Sequence, residues 1–339
     1  MTQAQNDDGS STRPLRKCLS VVVPAYNEQE VLLEFHHRLS AVLAGLPYGF
    51  EIVYVNDGSK DTTLAVMQVL RRRDSSVAIV DLSRNFGKEV ALTAGLDHAS
   101  GDAIIIIIII IYADLQDPPE LIPELVRGWE EGYDNVYAQR SRRAGESWLK
   151  KATAHLFYRG MQRVGRVSLP LDTGDFRLLS RRALDALLEL REQHRFMKGL
   201  FVWIGFAPKA VPYERDARFA GHGKWRLWAL WNFAIEGLTS FTVGPLKLAS
   251  YLGLCVAFIA VCYALFIIYK TLVYGDPVAG YPSLMVTILF LGAVQLIGIG
   301  ILGEYLGRIF NETKQRPLYL IQSFAPSAST LALRPHETG

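Results

Sequence analysis

The strongest chemical signal in the sequence is a cluster of acidic and amide side chains that follows a long apolar run. Eight consecutive isoleucines, residues 104–111, precede Tyr112, and Asp114, Gln116 and Asp117 come next. This β-branched run predicts a strand buried on both faces, because a membrane-spanning helix needs about 20 apolar residues. Open α/β sheets bind their ligands just beyond the carboxyl ends of such strands. The cluster is therefore predicted to lie in a ligand-binding site.

A basic segment later in the chain is suited to phosphate. Residues 139–146 read Gln-Arg-Ser-Arg-Arg-Ala-Gly-Glu and follow a predicted strand, residues 135–138. The planar guanidinium group of arginine binds phosphate oxygens in pairs. Such a segment is often only a solvated loop, but its place on the same edge of the sheet as Asp114 favours a function for Arg140 and Arg143.

Strands and helices alternate along the first part of the chain and position these residues. The strands are short runs rich in valine and isoleucine, and amphipathic segments separate them. This alternation predicts an α/β fold with a doubly wound, mostly parallel sheet. The predicted strands begin at Leu19 and cover 51–55, 77–82, 104–111 and 135–138; the predicted helices begin near Glu28 and cover 61–73, 86–99 and 123–132.

Four segments together resemble family 2 glycosyltransferases, in particular those that glycosylate polyprenyl phosphates. In chain order they are Pro24–Glu28, Asn56–Ser59, Asp114–Glu120 and Gly174–Arg177. The resemblance, which covers residues 19–320, implies a GT-A-type sheet. It also implies an enzyme that transfers a sugar from a UDP- or GDP-linked donor to undecaprenyl phosphate or a similar polyprenyl phosphate. The expected reaction is a metal-assisted single displacement.

The resemblance assigns Pro24, Tyr26, Glu28 and Asp57 to the nucleotide pocket. An aspartate at a strand end can accept hydrogen bonds from a ring N–H or a ribose hydroxyl, so the assignment is chemically sound. The alternative for Asp57 is a plain turn. The segment Arg84–Lys88 also matches the family. Its alternative is a helix start with solvated charges, which is a plausible interpretation of Lys88.

The same resemblance assigns the reaction centre. Asp114 and Gln116 are implied to hold Mg²⁺ or Mn²⁺ on the donor diphosphate, and Asp175 is implied to lie beside the acceptor. The family has a first aspartate where this chain has Tyr112, so a catalytically impaired protein that only binds sugar nucleotide stays open. A processive polysaccharide synthase is the other alternative, but its Gln-X-X-Arg-Trp motif is not visible. The predicted catalytic residues are Asp175, Asp114, Arg140 and Arg143.

The acceptor side is predicted to lie on a membrane. Arg218 and Lys224 belong to a segment that resembles the basic loop of the family, which implies contact with the acceptor phosphate. Residues 225–247 then predict an interfacial amphipathic helix, and residues 248–303 a transmembrane hairpin. The two uncharged stretches of the hairpin are Leu248–Tyr269 and Pro277–Gly303. Basic residues flank the pair, so the positive-inside rule predicts a multi-pass protein of the inner (cytoplasmic) membrane, with the catalytic domain and both termini cytoplasmic.

The remaining expectations concern organisation and partners. The predicted parts are a disordered tail (1–18), a cytoplasmic glycosyltransferase domain (19–224), the interfacial helix, the hairpin and a cytoplasmic C-terminal tail (304–339). The polar N-terminus predicts no cleavable signal peptide, and a net charge of +3 is too small to predict a nucleic-acid partner. The expected partners are a nucleotide sugar, a polyprenyl phosphate, the membrane and a flippase. A homo-oligomer, the sugar and the base are left open.

Overall fold

The computed structural model describes residues 17–108, 118–140, 173–193, 195–213 and 280–328, together with scattered helical residues between 251 and 273. Its strands are β1 Cys18–Ala25, β2 Gly49–Asn56, β3 Val77–Leu82, β4 Ala103–Ile106, β5 Asn135–Arg140, β6 Thr173–Ser180, β7 Pro208–Tyr213 and β8 Ile321–Ala325. Its helices are α1 Leu32–Ala44, α2 Thr63–Arg73, α3 Lys88–His98, α4 Ile122–Glu130, α5 Arg181–Leu188, α6 Met197–Trp203 and α7 Tyr281–Thr313.

The described strands form one eight-stranded sheet in the order β7-β5-β6-β4-β1-β2-β3-β8. Its centre is parallel, because β1 pairs with β2 and β4, and β2 pairs with β3, all in the same direction. These strands are rich in valine and isoleucine, which suits strands that are covered on both faces. The prediction of a doubly wound, mostly parallel sheet is confirmed.

Helices cover both faces of the sheet and enclose two apolar cores. Side chains of α1, α2 and α4 pack on one face, where Leu39 and Met67 are fully buried. Side chains of α3, α5 and α6 pack on the other face, where Leu92 and Leu200 are fully buried. This two-sided burial stabilises the central strands, and because they are parallel their carboxyl ends meet at one edge of the sheet.

The antiparallel strand β6 brings a second set of residues to that same edge. It pairs with β4 through Ile106 and Arg177, and with β5 through Gln139 and Thr173. Because β6 runs against both neighbours, its first residues lie beside the ends of β4 and β5. We call this edge, where β1 to β5 end and β6 begins, the carboxyl edge.

Two predicted elements differ most in their bounds from those in the structure. The strand predicted over 104–111 is described as β4 Ala103–Ile106, after which Ile107 N still donates to Val22 O at 3.1 Å. Residues 109–117 lie outside the described part of the chain. The first helix begins at Leu32 rather than near Glu28, because residues 29–31 form a turn in which Val31 N and Leu32 N both donate to Glu28 O before the regular helix starts.

The C-terminal part departs most from the sequence prediction. Helix α7 has 33 residues, a length of about 50 Å, and continues ten residues past Gly303, where the predicted hairpin ends. Within it, Phe290–Thr313 is long and apolar enough to span a membrane, and this stretch is not buried by the described protein. Strand β8 then joins the sheet antiparallel to β3. Within the predicted C-terminal tail (304–339), residues 304–313 are therefore helical and residues 321–325 form a strand of the sheet. The predicted interfacial helix lies outside the described residues.

Candidate active site

The ends of β1 and β2 are joined by a network of short hydrogen bonds. Asn27 N donates to Ser59 Oγ at 3.1 Å, and Lys60 N donates to Asn27 Oδ1 at 2.8 Å. Asp57 N donates to Ala25 O at 3.0 Å. The left-handed backbone of Asn27 is thus held by side-chain bonds from both sides. The network fixes the two strand ends as one rigid corner of the carboxyl edge.

The carboxylate of Asp57 binds the loop that follows β3. Its Oδ1 accepts a 2.7 Å hydrogen bond from Phe86 N, and its Oδ2 accepts a 3.0 Å bond from Gly87 N. Burial raises the pKa of Asp57, although the two backbone bonds and the charge of Arg84 act in the opposite direction. The Asp57 side chain therefore ties this loop to the end of β2.

The predicted nucleotide residues surround this corner. Pro24 is buried within β1, Tyr26 is half-buried just beyond it, and the side chain of Glu28 is buried. Glu28 N donates to Thr63 Oγ1 at 2.8 Å, which ties the corner to the start of α2. The fold brings Tyr26, Glu28 and Asp57 to one edge, as a shared pocket requires. Their contact with a nucleotide stays a prediction.

Asp175 lies near the start of β6, on the carboxyl edge, and forms an ion pair with Lys88. Lys88 Nζ lies 2.6 Å from Asp175 Oδ2 and 3.4 Å from Glu89 Oε1. Burial alone would raise the pKa of Asp175, but the charges of Lys88, Lys198 and Arg177 outweigh it and lower the pKa below its usual value. Asp175 is therefore a carboxylate at neutral pH. The interpretation of Lys88 as a merely solvated charge is wrong.

A buried arginine, two positions further along the same strand, supports this carboxylate. The guanidinium carbon of Arg177 lies 3.8 Å from the centre of the Phe201 ring, and Nη2 donates to Gly174 O at 3.2 Å. Burial lowers the pKa of Arg177 to about 10, so the group stays charged at neutral pH. Among the described residues, Asp175 Oδ1 and Arg177 Nε have no hydrogen-bond partner. The site thus keeps unused polar atoms beside Asp175.

The other predicted site residues are placed only in part. Arg140 ends β5, and the pairing of Gln139 with Thr173 puts its backbone near the start of β6, close along the sheet to Asp175. Five predicted site residues and Tyr112 lie outside the described residues; the five are Asp114, Gln116, Arg143, Arg218 and Lys224. In the part of the chain that is described, no cluster of three or more His, Cys, Asp or Glu side chains forms a metal site.

Sequence reasoning missed Lys88, Glu89 and Arg177 as members of this site. Lys88 and Asp175 are 87 residues apart, so no local pattern reports their ion pair. Two signals were available, the match of the segment Arg84–Lys88 to the family and its position after a strand end on the predicted ligand-binding edge. Arg177 was visible only as the last residue of the Gly-Asp-Phe-Arg segment.

Comparisons with known proteins agree over most of the chain. Glycosyl transferase family 2 matches residues 20–188, and the GtrB C-terminal hairpin matches residues 244–309. A bactoprenol glucosyl transferase of Shigella phage SfV is 48% identical over 305 residues, which are 90% of this chain and 98% of that protein. An uncharacterized glycosyltransferase of Synechocystis sp. is 51% identical over 89% of this chain and 94% of its own length.

A more distant similarity concerns a solved structure. Glucosyl-3-phosphoglycerate synthase from Mycobacterium tuberculosis, in complex with Mn²⁺, UDP-glucose and phosphoglyceric acid, is 22% identical. The match covers 66% of this chain and 78% of that chain, with a TM-score of 0.45.

Proposed function

This chain belongs to glycosyl transferase family 2, and on that premise we propose that it transfers one hexose from a nucleotide diphosphate sugar to a polyprenyl phosphate. The proposed acceptor is undecaprenyl phosphate, because the named relatives are bactoprenol glucosyl transferases. The same names make glucose, carried by UDP, the first sugar to test. The protein is a membrane-associated glycosyltransferase.

One observation carries this proposal. The relatives named bactoprenol glucosyl transferase match 90% of this chain at 47–48% identity, and they are spanned at 97–99% of their own length. The similarity therefore includes both the transferase domain and the C-terminal hairpin. A long-chain lipid phosphate is embedded in a bilayer, so an enzyme that uses it needs both parts.

The donor is proposed to bind at the corner formed by the ends of β1, β2 and β3. Glu28 and Asp57 would face the base and ribose there, and Pro24 and Tyr26 would line the pocket. Each carboxylate oxygen of Asp57 has a second lone pair beyond the one that binds Phe86 N or Gly87 N. Asp57 can therefore hold the loop and a nucleotide hydroxyl at the same time.

The proposed chemistry is a single displacement at the anomeric carbon. A phosphate oxygen of the acceptor attacks that carbon, and the bond from the carbon to the diphosphate oxygen breaks, so that the nucleoside diphosphate leaves. The acceptor phosphate is already ionised at neutral pH and needs no strong general base. The low pKa of Asp175, caused by neighbouring cations that outweigh its burial, fits a group that positions the reactants.

Phosphate charge is proposed to be balanced by basic residues and a divalent cation. Arg140 and Arg143 would contact donor phosphates, and Arg218 and Lys224 the acceptor phosphate. The carboxylate of Asp114 and the amide oxygen of Gln116 are hard oxygen donors, which suits Mg²⁺ or Mn²⁺. A bound cation would stabilise charge on the departing diphosphate.

The proposed membrane topology is supported by contacts at the end of α7. Gln193 N donates to Glu312 Oε1 at 2.8 Å, and Gln193 Nε2 donates to Arg316 O at 2.6 Å. The Thr313 end of the helix thus lies against the transferase domain. We place that domain in the cytoplasm, where nucleotide sugars occur. Both ends of the hairpin then face the cytoplasm, the protein crosses the inner membrane twice, and residues 225–247 lie along its surface.

The product of this reaction would carry its sugar on the cytoplasmic face. Two membrane segments are too few to form an ordinary transport path, so a separate flippase is the proposed partner.

The test uses the full chain in liposomes that contain undecaprenyl phosphate. Radiolabelled UDP-glucose, UDP-galactose, UDP-N-acetylglucosamine and GDP-mannose are offered one at a time, and label is counted in the organic extract. We expect acceptor-dependent label from one donor, with UDP-glucose the first expectation. Binding of a donor without any lipid-linked label would instead favour the catalytically impaired alternative that Tyr112 suggests.

A further inference from the structure

Three consecutive residues connect the donor corner to the reaction centre. Phe86 N and Gly87 N donate to the Asp57 carboxylate at the end of β2. The next residue, Lys88, places its ammonium group 2.6 Å from Asp175 Oδ2 on β6. Strands β1 and β4 separate β2 from β6 in the sheet, so the segment 86–88 bridges the width of the proposed site.

The backbone leaves this bridge little freedom. Gly87 has φ +94°, a conformation that other residues rarely adopt, and its carbonyl accepts from Val90 N at 3.1 Å and Ala91 N at 2.9 Å as α3 begins. The adjoining loops are packed tightly, because a Cβ on Gly58 would lie 2.4 Å from the carbonyl carbon of Arg84. The starting point of the Lys88 side chain is therefore fixed with respect to Asp57.

The Lys88 side chain lies at the boundary between buried charge and the open edge. It is 44% exposed, whereas the side chain of Asp175 is 11% exposed. An ammonium group has three donors, and two of them have partners here, Asp175 and Glu89. The other cations beside Asp175 are Arg177, two positions further along β6, and Lys198 on α6, but among the described residues it is Lys88 that donates a hydrogen bond to the carboxylate.

We infer that Lys88 is a positioning residue for the transfer reaction, which holds the Asp175 carboxylate and ties it to the loop after β3 that Asp57 anchors. This inference rests on the proposed function and deepens it. Binding of the donor at the Asp57 corner and the placement of Asp175 are then linked through one short covalent segment. Loss of the ammonium group should disturb the reaction more than it disturbs donor binding.

The experiment compares Lys88→Met with Lys209→Met in the full chain in liposomes. Lys209 pairs with Glu131 at the opposite side of the sheet, so its variant also removes a lysine–carboxylate ion pair. Loss of a charge-assisted contact predicts that Lys88→Met lowers kcat about 10- to 100-fold, while the donor KM changes less than about threefold. Lys209→Met should keep the wild-type values, and Lys88→Arg should recover part of the lost kcat.

Two further readouts separate positioning from a general structural role. Without Lys88, the pKa of Asp175 loses its strongest lowering charge, so the acid limb of the kcat profile should move to higher pH in Lys88→Met. Glu89, Arg177 and Lys198 remain beside Asp175 in all variants. In an Asp175→Asn background, Lys88→Met should lower kcat less than about twofold, because the effects of residues that act as a unit are not additive.

The outcomes distinguish this inference from the proposed function. A wild-type protein that makes no lipid-linked sugar would overturn both. An active wild type whose Lys88→Met variant matches Lys209→Met would overturn the role of Lys88 alone. An equal fold-loss of kcat from Lys88→Met in the wild-type and Asp175→Asn backgrounds would overturn this role as well, even if Lys88→Met lowers the melting temperature.

Discussion

The hydroxyl of Tyr319 donates a 2.6 Å hydrogen bond to Asp97 Oδ2, across 222 residues of sequence. Arg191 holds the same carboxylate through two bonds of 2.9 and 2.8 Å. Tyr319 lies between helix α7 and strand β8, and Asp97 lies in the last turn of α3. The segment after helix α7 therefore packs on the transferase domain and fixes the end of α7 against it.

Removing the Tyr319 hydroxyl should weaken that anchor. We expect Tyr319→Phe to lower the free energy of unfolding by about 1–2 kcal/mol, because the hydrogen bond ends on a charged and mostly buried acceptor. Denaturant unfolding of the detergent-solubilised protein measures this change. The matched control is Tyr133→Phe, at a tyrosine that is 37% exposed. Equal stability of the two variants would show that the Asp97 contact contributes nothing.

Gly58 should be required for the donor pocket. It has φ +62°, and an added Cβ would lie 2.4 Å from Arg84 C and 2.5 Å from Asn85 N. Gly132 has a similar φ of +96° but nothing within 4 Å of its Cβ position, so Gly132→Ala isolates the conformational cost, about 1–2 kcal/mol. We expect Gly58→Ala to lower the free energy of unfolding by more than Gly132→Ala does, and to raise the donor KM. Isothermal calorimetry with UDP checks this, and unchanged nucleotide affinity would contradict it.

Asp134 should make stability depend on pH at the acid end. Its carboxylate accepts from Arg182 Nε at 2.6 Å and from Ser180 Oγ at 2.7 Å, and the bond to Arg182 lowers its pKa. A lowered pKa in the folded state means that the stabilisation is complete above the usual value, about 3.9, and is lost as the pH falls through the lower folded value. Asp134→Asn should thus lower the melting temperature at pH 7 by about 2–4 °C.

The difference between wild type and Asp134→Asn should narrow as the pH is lowered below 4. Thermal unfolding followed from pH 7 to pH 3 measures it. Asp185→Asn is the control, because Asp185 is 60% exposed and its contact with Arg181 is weaker, at 3.6 Å. A difference in melting temperature that stays constant with pH would show that ionisation of Asp134 does not contribute to stability.

Tyr112 should weaken cation binding at the metal site proposed for Asp114 and Gln116. A tyrosine hydroxyl has a pKa near 10, so it is neutral at pH 7 and a poorer ligand for Mg²⁺ or Mn²⁺ than a carboxylate. We expect Tyr112→Asp to lower the metal concentration that gives half-maximal turnover, and Asp114→Ala to abolish turnover. Metal titrations of the sugar-transfer rate check both. Unchanged metal dependence in Tyr112→Asp would show that position 112 is not a ligand position.

The sheet was predictable because its strands are local patterns. The apolar run at Val77–Leu82, closed by polar residues on both sides, was predicted with the bounds that the structure gives. The ion pair of Lys88 with Asp175 was not predictable, because it depends on where β6 lies beside β4. Strand β8 was also missed, since its five residues mix polar and apolar types and four of them are exposed.

Helix α7 shows a different limit of sequence reasoning. Hydropathy falls at Glu304 and Arg308, so the apolar stretch ends near Gly303, but the helical backbone continues to Thr313. Those two charges are four residues apart and form an ion pair along the helix, which favours its continuation. Hydropathy reports the span of a membrane segment and not the end of its helix.

The central claim, transfer of one hexose to a polyprenyl phosphate, is tested most directly by the mass of the lipid product. The purified full chain is incubated in liposomes with undecaprenyl phosphate, a divalent cation and the donor selected by the panel, and the extracted lipid is analysed by mass spectrometry. We predict a single new species heavier than the acceptor by one hexose residue, formed in equal amount to the released nucleoside diphosphate. A ladder of several hexoses, or an unmodified acceptor with every donor, would contradict the proposed function.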